Sequence, residues 1–165
     1  MKKPLETEAE IEFPQRKGST PLIAIPPEVA EAILDNKKSE RVIISFENGD
    51  ELHRALRMNK DGFCFMTVGK GALKDLGLEM GSRLKIQIRK DDSKYGMPLP
   101  LELSEVFNQD PEGKARFEEL KPGTQRSFLY HVGNAKSEEV RIQRALKMVE
   151  NLKNGFISAG RYVRK

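Results

Sequence analysis

The sequence predicts an α+β chain. A small β-barrel with short helices occupies residues 1–94, and an all-helical subdomain follows over residues 95–165. Three observations carry this prediction. Apolar residues alternate with period two through the first half and recur with helical spacing in the second. Glycine-bearing turns separate the alternating runs at regular intervals, as in small barrels. The turn-rich stretch Tyr95-Gly96-Met97-Pro98-Leu99-Pro100 divides the two patterns.

Taken in order, Glu8 to Phe13 alternates strictly, with Glu8, Glu10 and Glu12 on one face and Ala9, Ile11 and Phe13 on the other. Leu22 to Ile25 is a short apolar run. Pro26-Pro27 then opens a helix over Glu28 to Leu34, because proline suits a first turn and Val29, Ala30, Ile33 and Leu34 share a face. Arg41 to Phe46 and Glu51 to Met58 flank Asn48-Gly49, a hairpin signal in which both residues tolerate positive φ. A four-residue turn, Asn59 to Gly62, leads into a strand from Phe63 to Val68. One or two helical turns, Lys70 to Leu76, end at Gly77, and Gly81 precedes the alternating strand Arg83 to Arg89. If that basic strand lies beside Glu8, Glu10 and Glu12, cross-strand pairing quenches its charge.

Four helices are expected beyond the linker, over Leu101–Asn108, Pro111–Leu120, Pro122–Asn134 and Glu138–Lys153. The last has Ser137 as N-cap and Glu138 and Glu139 at its positive end. Its expected buried stripe is Ile142, Ala145, Leu146, Val149 and Leu152, and Gly155 ends it.

Composition narrows the function classes. The chain has 165 residues, 38% hydrophobic and 33% charged, with a net charge of +4. No apolar run approaches the roughly 18 residues that span a bilayer, so no membrane insertion is expected. One cysteine and two histidines exclude an internal disulfide framework and make a metal site unexpected; no cofactor is implied. Met1-Lys2-Lys3 is followed by an acidic stretch, not the apolar core of a signal peptide, and a lone thiol suits a reducing interior. Cytoplasmic placement is the expectation. A monomer is consistent with the sequence, which does not fix the oligomeric state.

Two blocks carry a family resemblance. One is Pro26-Pro27-Glu28-Val29-Ala30, then Asn48-Gly49, then Lys70 through Leu78-Glu-Met-Gly81-Ser-Arg-Leu84. The other is Ala135-Lys136-Ser-Glu-Glu139-Val-Arg141-Ile-Gln-Arg144. In this order they resemble the YdeI/OmpD-associated, bacteriocin-protection family, in its longer bacterial members with an N-terminal small-barrel domain. The resemblance implies a link to resistance to cationic antimicrobial peptides and to an outer-membrane porin. Leu76-Gly77-Leu78-Glu-Met-Gly81-Ser82 also resembles the double-split barrels of AbrB-like transcription factors, with Ser82 where those usually have Asp. In the last helix the family's Glu-Thr-Arg reads Glu139-Val140-Arg141, so a hydroxyl is lost.

Two residue sets are candidates for chemistry. His53, Arg57 and Cys64 fall on one sheet face if the turn pairs residue 57 with 64. Arg57 then faces Cys64 and could lower its pKa, although His53 is distant and no third group orients it. The alternative is a semi-buried structural thiol. His131 lacks metal-ligand spacing. The acidic pairs Asp91-Asp92 and Glu118-Glu119 read as solvated.

The second set is Lys136, Arg141 and Arg144 at the start of the last helix, with Arg161, Arg164 and Lys165 following in the tail. These cations could hold a phosphate or carboxylate. They could equally pair with Glu118, Glu119 or Glu138 and pin helices together. Residues 1–94 carry 17 Lys and Arg against 16 Asp and Glu, and residues 95–165 carry 12 against 9, so the helical part holds most of the excess charge. The expected function is a non-enzymatic binding protein for a protein or small anion. The alternatives are a nucleic-acid-binding barrel, which the near-neutral first half disfavours, and a small enzyme.

Overall fold

Strand β1, Leu5–Glu12, carries the alternation of its sequence into space: Ala9 and Ile11 are buried and Glu6, Glu8, Glu10 and Glu12 are exposed. Strands β2 (Leu22–Ala24), β3 (Ser39–Phe46), β4 (Glu51–Met58), β5 (Cys64–Thr67) and β6 (Arg83–Lys90) join it in a closed barrel of order β1-β2-β5-β4-β3-β6. Every pairing is antiparallel. The computed structural model describes residues 3–12 and 18–155. The chain separates into two compact units, Met1–Asp92 and Ser93–Lys165. Phe13 and the tail residues Arg161, Arg164 and Lys165 lie outside the described residues.

Within the barrel, Ile11, Ile23, Val42, Ile44, Leu56, Met66 and Ile88 form the core. Helix α1, Pro27–Leu34, adds Ala30, Ile33 and Leu34, and helix α2, Lys70–Asp75, adds Leu73. Both hairpin turns close more tightly than their sequences suggest. At the first, Phe46 N donates to Asp50 O at 2.9 Å, which leaves the three-residue loop Glu47-Asn48-Gly49. Only Gly49 takes positive φ, +89°. Asn48 instead uses its side chain, accepting from Asp50 N at 2.9 Å.

At the second turn, Asn59 N donates to Phe63 O at 2.9 Å, and Gly62 takes φ +81°. The loop has three residues, not four. Met58 therefore pairs with Cys64, and Arg57 with Phe65. A one-residue change of register moves every side chain of a strand to the other face. Cys64 and Met66 consequently enter the core, and Phe65 turns outward.

The second unit contains α3 (Leu101–Gln109), α4 (Pro111–Glu118), α5 (Pro122–Gly133) and α6 (Glu138–Lys153). Phe117 and Phe128 are fully buried at its centre, with Phe107 tilted against Phe117 at 5.0 Å and Tyr95 edge-on at 5.5 Å. Glu118 ties the incoming chain to α4: Oε1 accepts from Tyr95 Oη at 2.6 Å and Lys94 Nζ at 2.7 Å. Glu118 is thus engaged, where the sequence reading left it in solvent.

The crossing of α4 and α6 depends on a missing side chain. A Cβ added at Gly113 would overlap Val149 Cγ1 and lie 3.2 Å from Asp110 Cγ. Asp110 caps α4 by accepting from Gly113 N at 2.8 Å, and its other oxygen accepts from Lys153 Nζ at 2.6 Å. These two bonds fix the start of one helix against the end of the other.

Candidate functional site

The start of α6 is built as its sequence implies. Ser137 Oγ accepts from Val140 N at 3.2 Å, and Glu138 and Glu139 occupy the first turn. The cap satisfies one of the donors that a helix start leaves open.

One turn further in, Arg141 faces inward. Its Nε donates to Glu102 Oε1 at 2.6 Å, and its Nη1 donates to Ala135 O at 3.0 Å and Lys136 O at 3.1 Å. Arg144 Nη1 donates to His131 O at 2.8 Å and Asn134 Oδ1 at 2.9 Å. Carbonyls in the last turn of α5 have no partner within their own helix, and Arg144 supplies one. The two guanidiniums therefore clamp the α5–α6 connection and the start of α3.

Their expected partners Glu118, Glu119 and Glu138 are not the ones used. Glu118 is held by Lys94 and Tyr95, and Glu119 lies 3.7 Å from Arg116. Glu102, on α3, carried no signal in the sequence beyond its charge. The hydrogen bond from Arg141 holds the Glu102 carboxyl below its usual range, aided by a backbone bond of its own. Burial pushes the His131 imidazole down, and nearby Arg144 adds to it. Lys136 is the member of the expected basic set that remains exposed.

The same end of the helical unit displays apolar side chains. The Arg141–Glu102 bond draws the start of α3 to the start of α6, and Arg144 draws in the end of α5. On those termini Leu101 is 85% exposed, Tyr130 59%, Ile142 40% and Val140 38%. Leu146, one turn along α6, is exposed as well. The expected stripe is thus displaced: Ala145, Met148, Val149 and Leu152 are buried, while Ile142 and Leu146 face solvent. At about 100° per residue, those two lie on the flank of the buried stripe.

The second candidate set, His53, Arg57 and Cys64, does not assemble. Cys64 is 1% exposed inside the barrel, its Sγ 3.5 Å from Gly62 O. Burial pushes its thiol pKa up, and Glu31 reinforces the shift. His53 and Arg57 alternate with the inward Leu52, Leu56 and Met58, so they occupy the opposite face of the sheet. His53 instead meets Asp91: Nδ1 lies 2.7 Å from Oδ2 of a carboxylate with no exposed side-chain area. The expectation of two solvated aspartates therefore fails for Asp91 and holds for Asp92, which is exposed.

Across the barrel surface, Glu8 stands opposite Lys85 and Glu10 opposite Arg83, as the charge pattern suggested, but the expected quenching ion pairs do not close among the described residues. Among the described residues, no group of His, Cys, Asp or Glu could hold a metal ion, and no helix is long and apolar enough to cross a membrane.

No curated protein and no solved structure matches this chain. A family model described as "Bacteriocin-protection, YdeI or OmpD-Associated" matches residues 97–155. That span contains α3 to α6, the helices of the second unit among the described residues, and the Arg141 clamp, and stops short of the barrel. The helical part of this chain is thus similar to the YdeI/OmpD-associated, bacteriocin-protection family, and it is joined here to an N-terminal six-stranded barrel.

Proposed function

We propose that the protein is a non-enzymatic interaction module, and that its helical unit engages a protein partner at the end where α3 begins, α5 ends and α6 begins. The observation that carries this reading is the exposure of Leu101, Tyr130, Val140 and Ile142 on those converging termini. Several large apolar groups left exposed towards one end of a unit favour an interface. A small anion is the weaker candidate, because an anion would have to displace Glu102 and the loop carbonyls from Arg141 and Arg144. An enzymatic reading finds little support in a chain whose one thiol is sealed on the far side of the sheet from His53. Duplex binding at the β1 face is disfavoured by its outward glutamates, which would repel phosphates.

A photo-crosslinking residue placed at Tyr130, in the native host cell, tests the proposal. A discrete protein adduct is expected there, absent when the same residue replaces the exposed Lys74 on α2 of the barrel unit and lost on adding Ile142→Glu. No adduct at Tyr130, or equal adducts from both positions, overturns it.

A further inference from the structure

The barrel carries a second surface, independent of the helical one. A groove of about 360 Å³ runs along its outside, lined on one side by Glu8, Glu10 and Glu12 of β1 with Arg83 of β6 beside them, and on the other by Pro26, Pro27 and Phe63. Phe63 is 37% exposed and stacks on Phe65 at 5.7 Å. Phe65 stands in register with Ala24, and Ala24 with Glu10, so acid, small apolar residue and aromatic ring follow one another across three strands. None of the three glutamates forms an ion pair among the described residues, although Lys85 and Arg83 stand opposite Glu8 and Glu10.

We propose that this groove docks an extended segment of a partner protein in which basic and apolar residues alternate. Side chains on one face of a strand repeat every two residues, roughly 6.8 Å. Glu8, Glu10 and Glu12 therefore offer three carboxylates at the repeat of an extended peptide lying alongside. Such a peptide directs its odd side chains to one wall and its even side chains to the other. Basic residues at positions 1, 3 and 5 meet the glutamates, while apolar residues at 2 and 4 meet Pro26, Pro27 and Phe63. With three carboxylates against the one cation Arg83 in the lining, charge complementarity selects this occupant over an acidic or nucleic-acid one. The unit Met1–Asp92 has sixteen basic and sixteen acidic residues, so its net charge does not oppose the local field. Within a Debye length of about 10 Å the nearby carboxylates dominate.

The test is a titration of the full-length protein, followed by amide NMR at low salt, with acetyl-Lys-Val-Lys-Phe-Lys-amide. Saturable shifts are expected at residues 8–12, 24–27 and 63–65, with roughly tenfold weaker binding in Glu10→Gln with Glu12→Gln, and loss of binding in 0.5 M salt. Phe63→Ser should also weaken binding while leaving the barrel core intact. The isomeric acetyl-Lys-Lys-Lys-Val-Phe-amide should bind several-fold less well. No saturable shift at millimolar peptide, equal binding of the two isomers, or shifts elsewhere overturns the proposal. So do concentration-dependent shifts of these residues without peptide, which would identify a second copy of the chain as the occupant. Equal shifts with a short DNA duplex would overturn it too.

Discussion

Replacing Gly113 by alanine tests how α4 and α6 are held together. In an exposed helix the change would stabilise by about 1 kcal/mol, because alanine is the better helix former. Here the new Cβ overlaps Val149 Cγ1, far inside the roughly 3.5–4.0 Å of a carbon–carbon contact. Valine is stiff at χ1, so Val149 relieves the overlap only by an unfavourable rotamer or by moving α4 away. Overpacking of this kind costs about 1–3 kcal/mol. Moving α4 also strains the Asp110 cap and the Lys153 bridge, at a site where a cap contributes about 1 kcal/mol. The balance is a net loss of about 2 kcal/mol, or roughly 10 °C in the melting temperature of a domain this size. Far-UV circular dichroism under urea and heat measures it. Val149→Ala alone should cost about 2 kcal/mol as a cavity. In that background Gly113→Ala should become neutral or mildly stabilising. An equal cost in both backgrounds would refute the steric account, and so would a stabilised single variant.

Three further expectations follow from the contacts described. Arg141→Ala should destabilise the helical unit by about 1–3 kcal/mol, since it strands the Ala135 and Lys136 carbonyls; Lys136→Ala, at an exposed position, should be near neutral in the same urea melts. Glu102 and Asp110 are held below their usual range by Arg141 and Lys153 respectively, and Glu118 by Lys94 and Tyr95 against the opposing effect of burial. Depressed carboxyls contribute stability above their unfolded values near pH 4 that disappears as pH falls through the folded ones; acid titration of the helical signal should show this, with a shallower loss in Glu102→Gln with Asp110→Asn. Cys64 should react with iodoacetamide at pH 8 at least ~10-fold more slowly than free cysteine, and at the free rate once urea unfolds the barrel.

The sequence made some elements plain because their signals are local. Strand β4 and helix α6 have the bounds their patterns indicate, and the Ser137 cap forms as read. What escaped depends on counts and contacts that periodicity does not hold. A four-residue and a three-residue turn both fit Asn59 to Gly62, yet they put Cys64 on opposite faces, and only the hydrogen bond from Asn59 N to Phe63 O decides between them. The sequence presents Asp91 beside Asp92 as solvent-facing, because nothing local announces His53 across 38 positions. Arg141 was legible as a charged residue of interest, but its partner Glu102 lies 39 residues away on another helix. Gly113 gave no signal, since close approach of a helix is written only in the neighbour it meets.

The barrel's closure has a consequence for how this unit can change. Because β1 pairs with β6, the circuit is closed, with β6 beside β1 from Leu5 to Glu10 and β2 beside it from Glu10 to Glu12. Recognition on the outward face of β1 is written in side chains. Along β1 those side chains fall into two separate registers, Ala9 and Ile11 serving the fold and Glu6, Glu8, Glu10 and Glu12 facing out. Substitution in the second register can retune what the surface accepts while the first keeps the barrel intact, so a single eight-residue strand can evolve its contacts and its fold independently.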